Sequence, residues 1–277
     1  MPGILYVVAT PIGNLEDITY RAVRVLGEVD LIAAEDTRAA QVLLDRYGVR
    51  RPLLSYFEGN ETERAADLVA RLGAGEHIAV ISQAGTPAVS DPGYRVVVAA
   101  LAAGVRVEVI PGPSAAVTAL VAAGLPTDRF LFLGFPPRTE ARRRELFAGV
   151  RTLEATLVLY EAPGRVGETL ADLAAALGPR PAAVARELTK LYEEVVRGTL
   201  PELHARYAAT PPRGEVTLVV AGAPAGAALE AEVDLTAELR AAVAAGRPLR
   251  EVAAELALRT GKSRHAIYQL GVALKKG

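Results

Sequence analysis

The stretch "ISQAGTPAVSDPG", Ile81–Gly93, decides the fold, because it joins a buried strand to a helix through a loop with few large side chains. It follows the apolar run His77–Ile81, and a helical pattern begins where it ends. Gly, Pro and small hydroxyl residues fill it and leave little to pack into a core. We interpret the space that they leave as room for a ligand.

The same alternation of strand and helix extends over residues 1–112. Continuously apolar runs, typical of strands covered on both faces, occur at Ile4–Ala9, Leu31–Ala34, Leu53–Tyr56, Ile78–Ile81 and Val105–Ile110. Helical patterns lie near Ile18–Leu26, Arg38–Tyr47, Glu61–Leu72 and Gly93–Ala103. Asn60 with Glu63 predicts a capping box, Asp91-Pro92 predicts an N-cap followed by an N1 proline, and Gly104 fits a C′ glycine. The pattern predicts a doubly wound α/β domain.

A second α/β domain with a mixed sheet is predicted over residues 113–224. Its linking helix is Ala115–Ala123, and further helices are expected at Thr139–Ala148 and Val166–Leu177. Some strand-like runs follow one another directly, which favours a mixed sheet; the runs are Phe130–Phe135, Thr156–Tyr160, Ala182–Arg186, Tyr192–Arg197 and Glu215–Val220.

A C-terminal unit, residues 235–277, has the pattern of two helices around a glycine turn. Residues 221–234 are low in information and predict a linker. Thr260-Gly261 breaks the helical pattern and Ser263 can cap a second helix, which together predict a helix-turn-helix-like unit. Basic residues crowd the turn and second helix: Arg259, Lys262, Arg264, Lys275 and Lys276. Nucleic-acid contact is favoured over a helical cap or a dimerisation element.

Composition narrows the class of protein. The 277 residues are 51% hydrophobic and 23% charged, which is typical of globular chains, and the net charge of −1 requires any contact with a polyanion to use a local basic patch. The lack of cysteine excludes disulfides, thiolate metal sites and a cysteine nucleophile. Because neither a signal peptide nor a membrane-length apolar run is found, we expect a soluble cytoplasmic protein. We predict no metal site.

Three strand ends in the first domain carry loops suited to a ligand. They are Thr10–Asn14, residues 82–93 and Pro111–Ala115, whose Gly13, Gly85 and Gly112 allow close backbone approach. The loops contain neither G-x-x-x-x-G-K-[ST] nor G-x-G-x-x-G, the two glycine-rich motifs that bind phosphate groups. They also contain no lysine, so triphosphate binding is disfavoured. A neutral or cationic ligand with an adenine-like face fits better.

Polar clusters follow three further strands. They are "AAEDTR" (Ala33–Arg38), "YEAPGR" (Tyr160–Arg165) and "ARELTK" (Ala185–Lys190). Charged residues that end a buried strand are more often functional than those within a helix, although Asp36 or Thr37 could equally serve as a helix N-cap.

Taken in order, "TPIGNLEDIT", "AAEDTR", "AGTPAVSDPG", "PGPSA", "YEAP", "ARELTK" and "GEVTLVV" resemble the ribosomal RNA small subunit methyltransferase I family of the tetrapyrrole methylase superfamily. The resemblance implies two α/β domains with a cofactor cleft between them, a homodimer, and S-adenosylmethionine as methyl donor. It further implies 2′-O-methylation of a cytidine in 16S rRNA of the small subunit. Carried over by position, Ala84, Gly85, Thr86, Pro87, Ser114 and Ala115 would line the cofactor, with Gly13 and Asn14 beside it.

The chain departs from the family pattern at several positions. Gln83 stands where the family usually has Asp, and Gly164 where it usually has His. The family's His-x-His-Asn-Glu reads Phe57-Glu58-Gly59-Asn60-Glu61 here. These changes leave open a ribosome-binding paralogue without activity. A methyltransferase of the same fold that acts on a small molecule, such as a tetrapyrrole precursor, is a separate alternative, which would leave the arginines and the C-terminal helical unit without an evident purpose.

Catalysis would then require alignment of the ribose oxygen with the methyl group and an acceptor for its proton. We predict Asp36 or Glu161 as that acceptor, with Lys190 as the alternative if desolvation lowers its pKa. The ring of Tyr160 could face the sulfonium, or it could be a core tyrosine. The predicted RNA contacts, which could instead form a solvated surface, are Arg38, Arg138, Arg142, Arg143, Arg144, Lys262 and Arg264.

Overall fold

The computed structural model describes residues 1–260 and 262–276, with the side chains of 227–234, 258, 259 and 276 outside the description. It divides the chain into two compact units. The first comprises Met1–Thr118 and Leu188–Tyr192, and the second comprises Ala119–Glu187 and Glu193–Gly277. The division falls within α5 (Ala115–Ala123), so it comes later than residue 112.

The first unit contains a five-stranded parallel sheet with the order β3-β2-β4-β1-β5. Its strands are β1 (Ile4–Val8), β2 (Leu31–Ala34), β3 (Leu53–Ser55), β4 (Ile78–Ile81) and β5 (Arg106–Ile110). The helices are α1 (Tyr20–Glu28), α2 (Thr37–Arg46), α3 (Glu61–Gly73) and α4 (Tyr94–Ala102). The predicted doubly wound fold is confirmed, with bounds that differ by only a few residues.

Helices cover both faces of this sheet. One core contains Leu26 of α1 and Leu44 of α2 against Ile32. The other contains Leu68 of α3 and Val96 of α4 against Leu5. Because α1 and α4 follow neighbouring strands but pack on opposite faces, the chain leaves the ends of β1 and β4 in opposite directions. Ligands of open α/β sheets bind at such switch points.

The second unit contains the predicted mixed sheet, with the order β6-β7-β10-β8-β9. Among the strand pairs in the described part of this sheet, β6–β7 is parallel and the others are antiparallel. The strands are β6 (Phe130–Phe132), β7 (Thr156–Glu161), β8 (Pro181–Arg186), β9 (Glu194–Thr199) and β10 (Val216–Val220). Its first helices are α6 (Glu140–Gly149), α7 (Val166–Leu177) and α8 (Leu200–Tyr207).

Three helices end the second unit: α9 (Ala227–Ala244), α10 (Leu249–Thr260) and α11 (Arg264–Lys276). They share an apolar core that includes Leu239, Leu256 and Ile267. The predicted helix pair corresponds to α10 and α11. The predicted linker over 221–234 was wrong from Ala227 onward, because that stretch begins α9. The predicted break at Gly261 and the side chains of Arg259 and Lys276 lie outside the described residues.

Two predicted caps were also wrong. The Asn60 side chain makes no cap bond to α3; instead its Oδ1 accepts from the amide of Phe57 and its Nδ2 donates to the carbonyl of Ser55. Helix α4 begins at Tyr94 with Gly93 as its N-cap, so Asp91 and Pro92 precede it. The predicted glycine after α4 is confirmed, since Gly104 follows the C-cap with φ of 72°. None of the described helices combines the length and apolar composition needed to cross a bilayer.

Candidate functional site

The loops after β1 and β4 are joined into one rim at the carboxyl edge of the first sheet. Thr10 and Gly85 form an isolated bridge, with N–O distances of 2.8 and 3.1 Å. The buried Ser82 hydroxyl donates to the carbonyl of Ala84 at 3.2 Å. Gly85 has φ of 76°, which a residue with a side chain rarely adopts. Hydrogen bonds to Thr10 and to the Ser82 hydroxyl therefore fix the backbone at Ala84 and Gly85.

The loop after β5 completes this rim. The amide of Ala9 donates to the carbonyl of Ile110 at 3.1 Å. A Cβ on Gly112 would lie 2.9 Å from the Cβ of Ala9, so only glycine permits this approach of the two loops. Ser114 then leads into α5, whose first residue is Ala115. The topology thus places the three predicted loops at adjacent strand ends.

Glu61 organises the far end of the 82–93 loop, a role that sequence reasoning missed. Its buried carboxylate accepts from the amides of Gly93 (3.0 Å) and Arg95 (3.3 Å), and from the hydroxyl of Tyr56 (3.0 Å). Burial and this bond to Glu61 raise the pKa of the Tyr56 phenol. The Asn60-Glu61 part of the family motif was the available signal.

The same loop holds backbone strain. Ala88 and Ser90 have φ of 70° and 63°, in the left-handed region that residues other than glycine seldom occupy. Such conformations persist where the surrounding structure fixes them, and they are frequent at binding sites. Glu187 (51°) and Thr189 (66°) share the property.

The neighbouring carboxylates Glu35 and Asp36 have different partners. Glu35 Oε2 accepts from the amide of Gln83 at 3.0 Å and so links the ends of β2 and β4. Asp36 Oδ1 caps α2 by accepting from the amides of Arg38 (2.8 Å) and Ala39 (3.2 Å). The hydrogen bonds from Ala39 and then Arg38 lower the pKa of the Asp36 carboxyl. Asp36 therefore has the capping role that the sequence left open, and both cap bonds use the same carboxylate oxygen.

A segment distant in sequence reaches the β1 loop. The hydroxyl of Thr189 accepts from the amide of Asn14 at 3.0 Å. A Cβ on Gly13 would lie 2.5 Å from Cγ of Lys190, so the Lys190 stem packs directly over this glycine. Asn14 Oδ1 accepts from the amide of Glu16, so its side chain caps the short 3-10 turn that follows. Gly13, Asn14 and Lys190, predicted separately, thus lie together.

Glu161 is fully buried in the second unit. Its carboxylate accepts from the hydroxyl of Thr169 (2.5 Å) and the amide of Ala162 (2.8 Å), and it pairs with Arg165 at 3.3 Å. Arg165 in turn donates to the carbonyls of Pro136 and Pro137. These contacts are those of a carboxylate that holds two loops, and its burial leaves no side of it open to a substrate.

Tyr160 belongs to an aromatic cluster in this unit. Its ring meets Phe132 edge-on at 4.9 Å and Phe135 at 5.6 Å between centroids. Tyr160 is half-buried, whereas Phe135 is exposed. The ring of Tyr160 thus packs against other aromatic rings, as a structural tyrosine does. The contact of Tyr160 with a cofactor stays a prediction.

The predicted basic surface needs one correction. Arg143 is only 3% exposed, and it forms a buried ion pair with Asp172, with an Nη2–Oδ2 distance of 2.6 Å. It cannot reach RNA, because its guanidinium joins α6 to α7. Arg144 also pairs with Asp172, at 2.8 Å, but stays largely exposed. The remaining predicted contacts are exposed: Arg38, Arg138, Arg142, Lys262 and Arg264.

The rim is the place where the sequence predicts a nucleoside that carries a sulfonium. Its walls are backbone and small side chains, and Gly85 and Gly112 occupy positions that a side chain could not share. Ala84, Thr86, Pro87, Ser114 and Ala115 would hold such a ligand, with Gly13 and Asn14 adjacent. Within the residues described, no group of three or more His, Asp or Glu could hold a metal ion.

Comparison with known proteins points to one family. A profile described as Tetrapyrrole (Corrin/Porphyrin) Methylases matches residues 4–204. The chain is 47% identical to "Ribosomal RNA small subunit methyltransferase I" of Mesorhizobium japonicum over 98% of this chain and 92% of that protein. It is 45% identical to the protein of the same name from Synechocystis, over 99% of each. A solved uroporphyrin-III-C-methyltransferase from Thermus thermophilus matches with a TM-score of 0.58 at 24% identity, over 78% of this chain and 94% of that one, which shows a shared fold.

Proposed function

The chain belongs to the tetrapyrrole methylase family, and on this premise we propose that it methylates ribosomal RNA of the small ribosomal subunit. The observation that carries the proposal is 45–47% identity, over nearly the whole chain, to proteins named "Ribosomal RNA small subunit methyltransferase I". Solved relatives with less than a quarter identity support the fold alone, so a small-molecule substrate is less well supported.

We propose S-adenosylmethionine as the methyl donor and the rim of the first sheet as its site. When bound there, it supplies an electrophilic methyl group on a sulfonium. The Thr10–Gly85 bridge and the Glu61–Gly93 bond hold the Ala84–Pro87 backbone in place before the ligand arrives. Such preorganisation reduces the entropy cost of binding.

The proposed acceptor is the 2′ oxygen of a cytidine in 16S rRNA. Its attack on the methyl group releases a proton, and Asp36 is our first candidate to accept that proton. Both cap bonds go to Oδ1, so the other carboxylate oxygen can accept while the cap is kept. Lys190, packed over Gly13, is the second candidate. The catalytic role predicted for Glu161 conflicts with its buried, fully partnered carboxylate, and we assign it to positioning of the 162–165 turn.

RNA contact is proposed for the exposed Arg138, which precedes α6, and the exposed Arg142 of α6, with Lys262, which lies between α10 and α11, and Arg264 of α11. Arg38 and Arg144 are also exposed enough to contact phosphate. A homodimer located in the cytoplasm completes the proposal.

The experiment is incubation of the protein and labelled S-adenosylmethionine with small subunits from cells that lack it, followed by mass mapping of ribose methylation. We expect one new 2′-O-methylcytidine in 16S rRNA. Binding of subunits without methylation would instead support a paralogue without activity. Gln83 and Gly164 are the departures that favour such a paralogue, although a Cβ on Gly164 would meet nothing within 4 Å, so the glycine is not required by packing.

A further inference from the structure

The tip of the β8–β9 hairpin carries an exposed aromatic residue and is bound to the β1 loop of the first unit. Residues Leu188–Tyr192 cluster with that unit although the strands on either side of them belong to the other. At the tip, Leu191 and Tyr192 are 88% and 70% exposed. Large apolar groups exposed on a well-anchored loop commonly mark a contact with a ligand or partner.

The tip is held rigidly rather than loosely. The Thr189 hydroxyl accepts from the amide of Asn14, and Gly13 leaves no room for a Cβ against Lys190. Thr189 also keeps φ of 66°, a conformation that costs free energy and persists only where contacts fix it. Tyr192 follows Thr189, the residue bound to Asn14, by three positions. Three residues of chain span at most about 11 Å, so the Cα atoms of Tyr192 and Thr189 lie within that distance.

The chemistry of the tip matches single-stranded RNA. Tyr192 offers an exposed ring on which a base can stack, a contact that proteins commonly use for unpaired RNA. An enzyme that methylates a ribose must hold the nucleotide in place beside the methyl donor. Stacking of a base on an aromatic side chain can hold an unpaired nucleotide in this way. Leu191, the preceding residue, adds exposed apolar surface to the same tip.

We propose that Tyr192 is a substrate-contact residue that stacks on a base of unpaired RNA next to the methylated nucleotide. The inference rests on the proposed rRNA methylation. It assigns to the hairpin tip the recognition of the acceptor strand, whereas the rim binds the donor.

The test compares Tyr192→Ala, Tyr192→Phe and Tyr94→Ala in methylation of small subunits. Tyr94 is a matched control, because it is 68% exposed but lies on α4. Removal of one stacking interaction corresponds to roughly a 5- to 150-fold fall in kcat/KM for RNA. We expect this fall in Tyr192→Ala alone, with recovery in Tyr192→Phe and unchanged affinity for S-adenosylmethionine by calorimetry.

Three results would overturn the inference: full activity of Tyr192→Ala, an equal fall in Tyr94→Ala, or no recovery with phenylalanine. Each presupposes that the wild-type protein methylates the subunit. If the wild type itself is inactive, it is the proposed function that fails, so the two failures are distinguishable.

Discussion

The carboxylate of Glu61 accepts a hydrogen bond from the main-chain amide of Gly93 at 3.0 Å. This contact joins the start of α3 to the start of α4, across 32 positions of sequence. It therefore fixes the C-terminal end of the 82–93 loop, whereas the Thr10–Gly85 bridge fixes the loop near its N-terminal end. The loop that we assign to the methyl donor is fixed at both ends.

Replacing Glu61 with alanine should both destabilise the protein and weaken donor binding. The amides of Gly93 and Arg95 and the hydroxyl of Tyr56 would be left without their acceptor, and an unsatisfied buried group costs about 1–3 kcal/mol. Because the bond from the Arg95 amide is only partly buried, we expect the free energy of unfolding to fall by about 2–4 kcal/mol in denaturant titrations. Glu63→Ala, an exposed change in the same turn, is the control. Equal unfolding midpoints would contradict the prediction.

Gly13→Ala should reduce activity by displacing the hairpin segment. The new Cβ would lie 2.5 Å from Lys190 Cγ and 2.8 Å from the Thr189 hydroxyl oxygen. We expect kcat to fall at least tenfold, because Lys190 and Tyr192 move together. The control is Gly27→Ala in α1, where a Cβ would meet nothing within 4 Å and alanine favours the helix by about 1 kcal/mol. Unchanged kcat in Gly13→Ala would show that the segment has no part in turnover.

Variants of the neighbouring residues Arg142 and Arg143 of α6 should distinguish an effect on RNA binding from an effect on stability. Arg143→Ala removes the buried partner of Asp172 but leaves the pair with Arg144, so it should cost less than the about 3–5 kcal/mol typical of a buried charge left unpaired, yet lower the melting temperature. Arg142→Glu alters an exposed side chain, so its melting temperature should match the wild type. It should instead reduce the salt dependence of subunit binding, by about 0.7–0.9 log units per log unit of salt for each phosphate that Arg142 neutralises. A normal salt slope in Arg142→Glu would place the RNA elsewhere.

Asp36→Asn tests the proposed proton acceptor without removing the cap. The amide oxygen of asparagine can accept the bonds from Arg38 and Ala39, so the fold should persist at neutral pH. The rate of methylation should fall at least tenfold while affinity for S-adenosylmethionine stays constant. Retained activity would remove Asp36 from catalysis and leave Lys190 as the candidate.

The same variant has a predicted effect on acid stability. Hydrogen bonds lower the folded-state pKa of Asp36 below its unfolded value, so the charged carboxylate stabilises the fold above the unfolded pKa. That stabilisation disappears as pH falls through the lowered pKa of the folded state. Unfolding measured between pH 5 and about pH 2 should therefore depend less on pH in Asp36→Asn than in the wild type. An identical pH dependence would contradict the assigned cap.

The order of strands and helices could be predicted because each apolar run and each helical period is a local property of the sequence. Helix α7 has the bounds that its pattern predicts, Val166–Leu177. The start of α4 could not be predicted, because the Gly93 amide is bound by Glu61, which is far away in sequence. The burial of Arg143 could not be predicted for the same reason. Its partner Asp172 follows 29 residues later, and nothing in the run of arginines marks Arg143 as buried.

The sequence marks the glycines of the candidate site but not the side chains that support its loops. Gly13, Gly85 and Gly112 are visible in sequence because glycine has so few other reasons to recur at strand ends. Glu35 and Glu61 are ordinary acidic residues until the fold brings the amides of Gln83 and Gly93 to them. Both glutamates hold the backbone of a loop in place, and no pattern of residue types in the sequence predicts this role.

A crystal structure of the protein with S-adenosylmethionine is the most direct measurement of where the methyl donor binds. The loops around Gly85, Gly112 and Ser114 should contact the nucleoside, with the methyl group facing the side of Asp36 and Lys190. Donor bound away from this edge of the sheet, or absent at saturating concentration in an active preparation, would contradict the assignment of the rim.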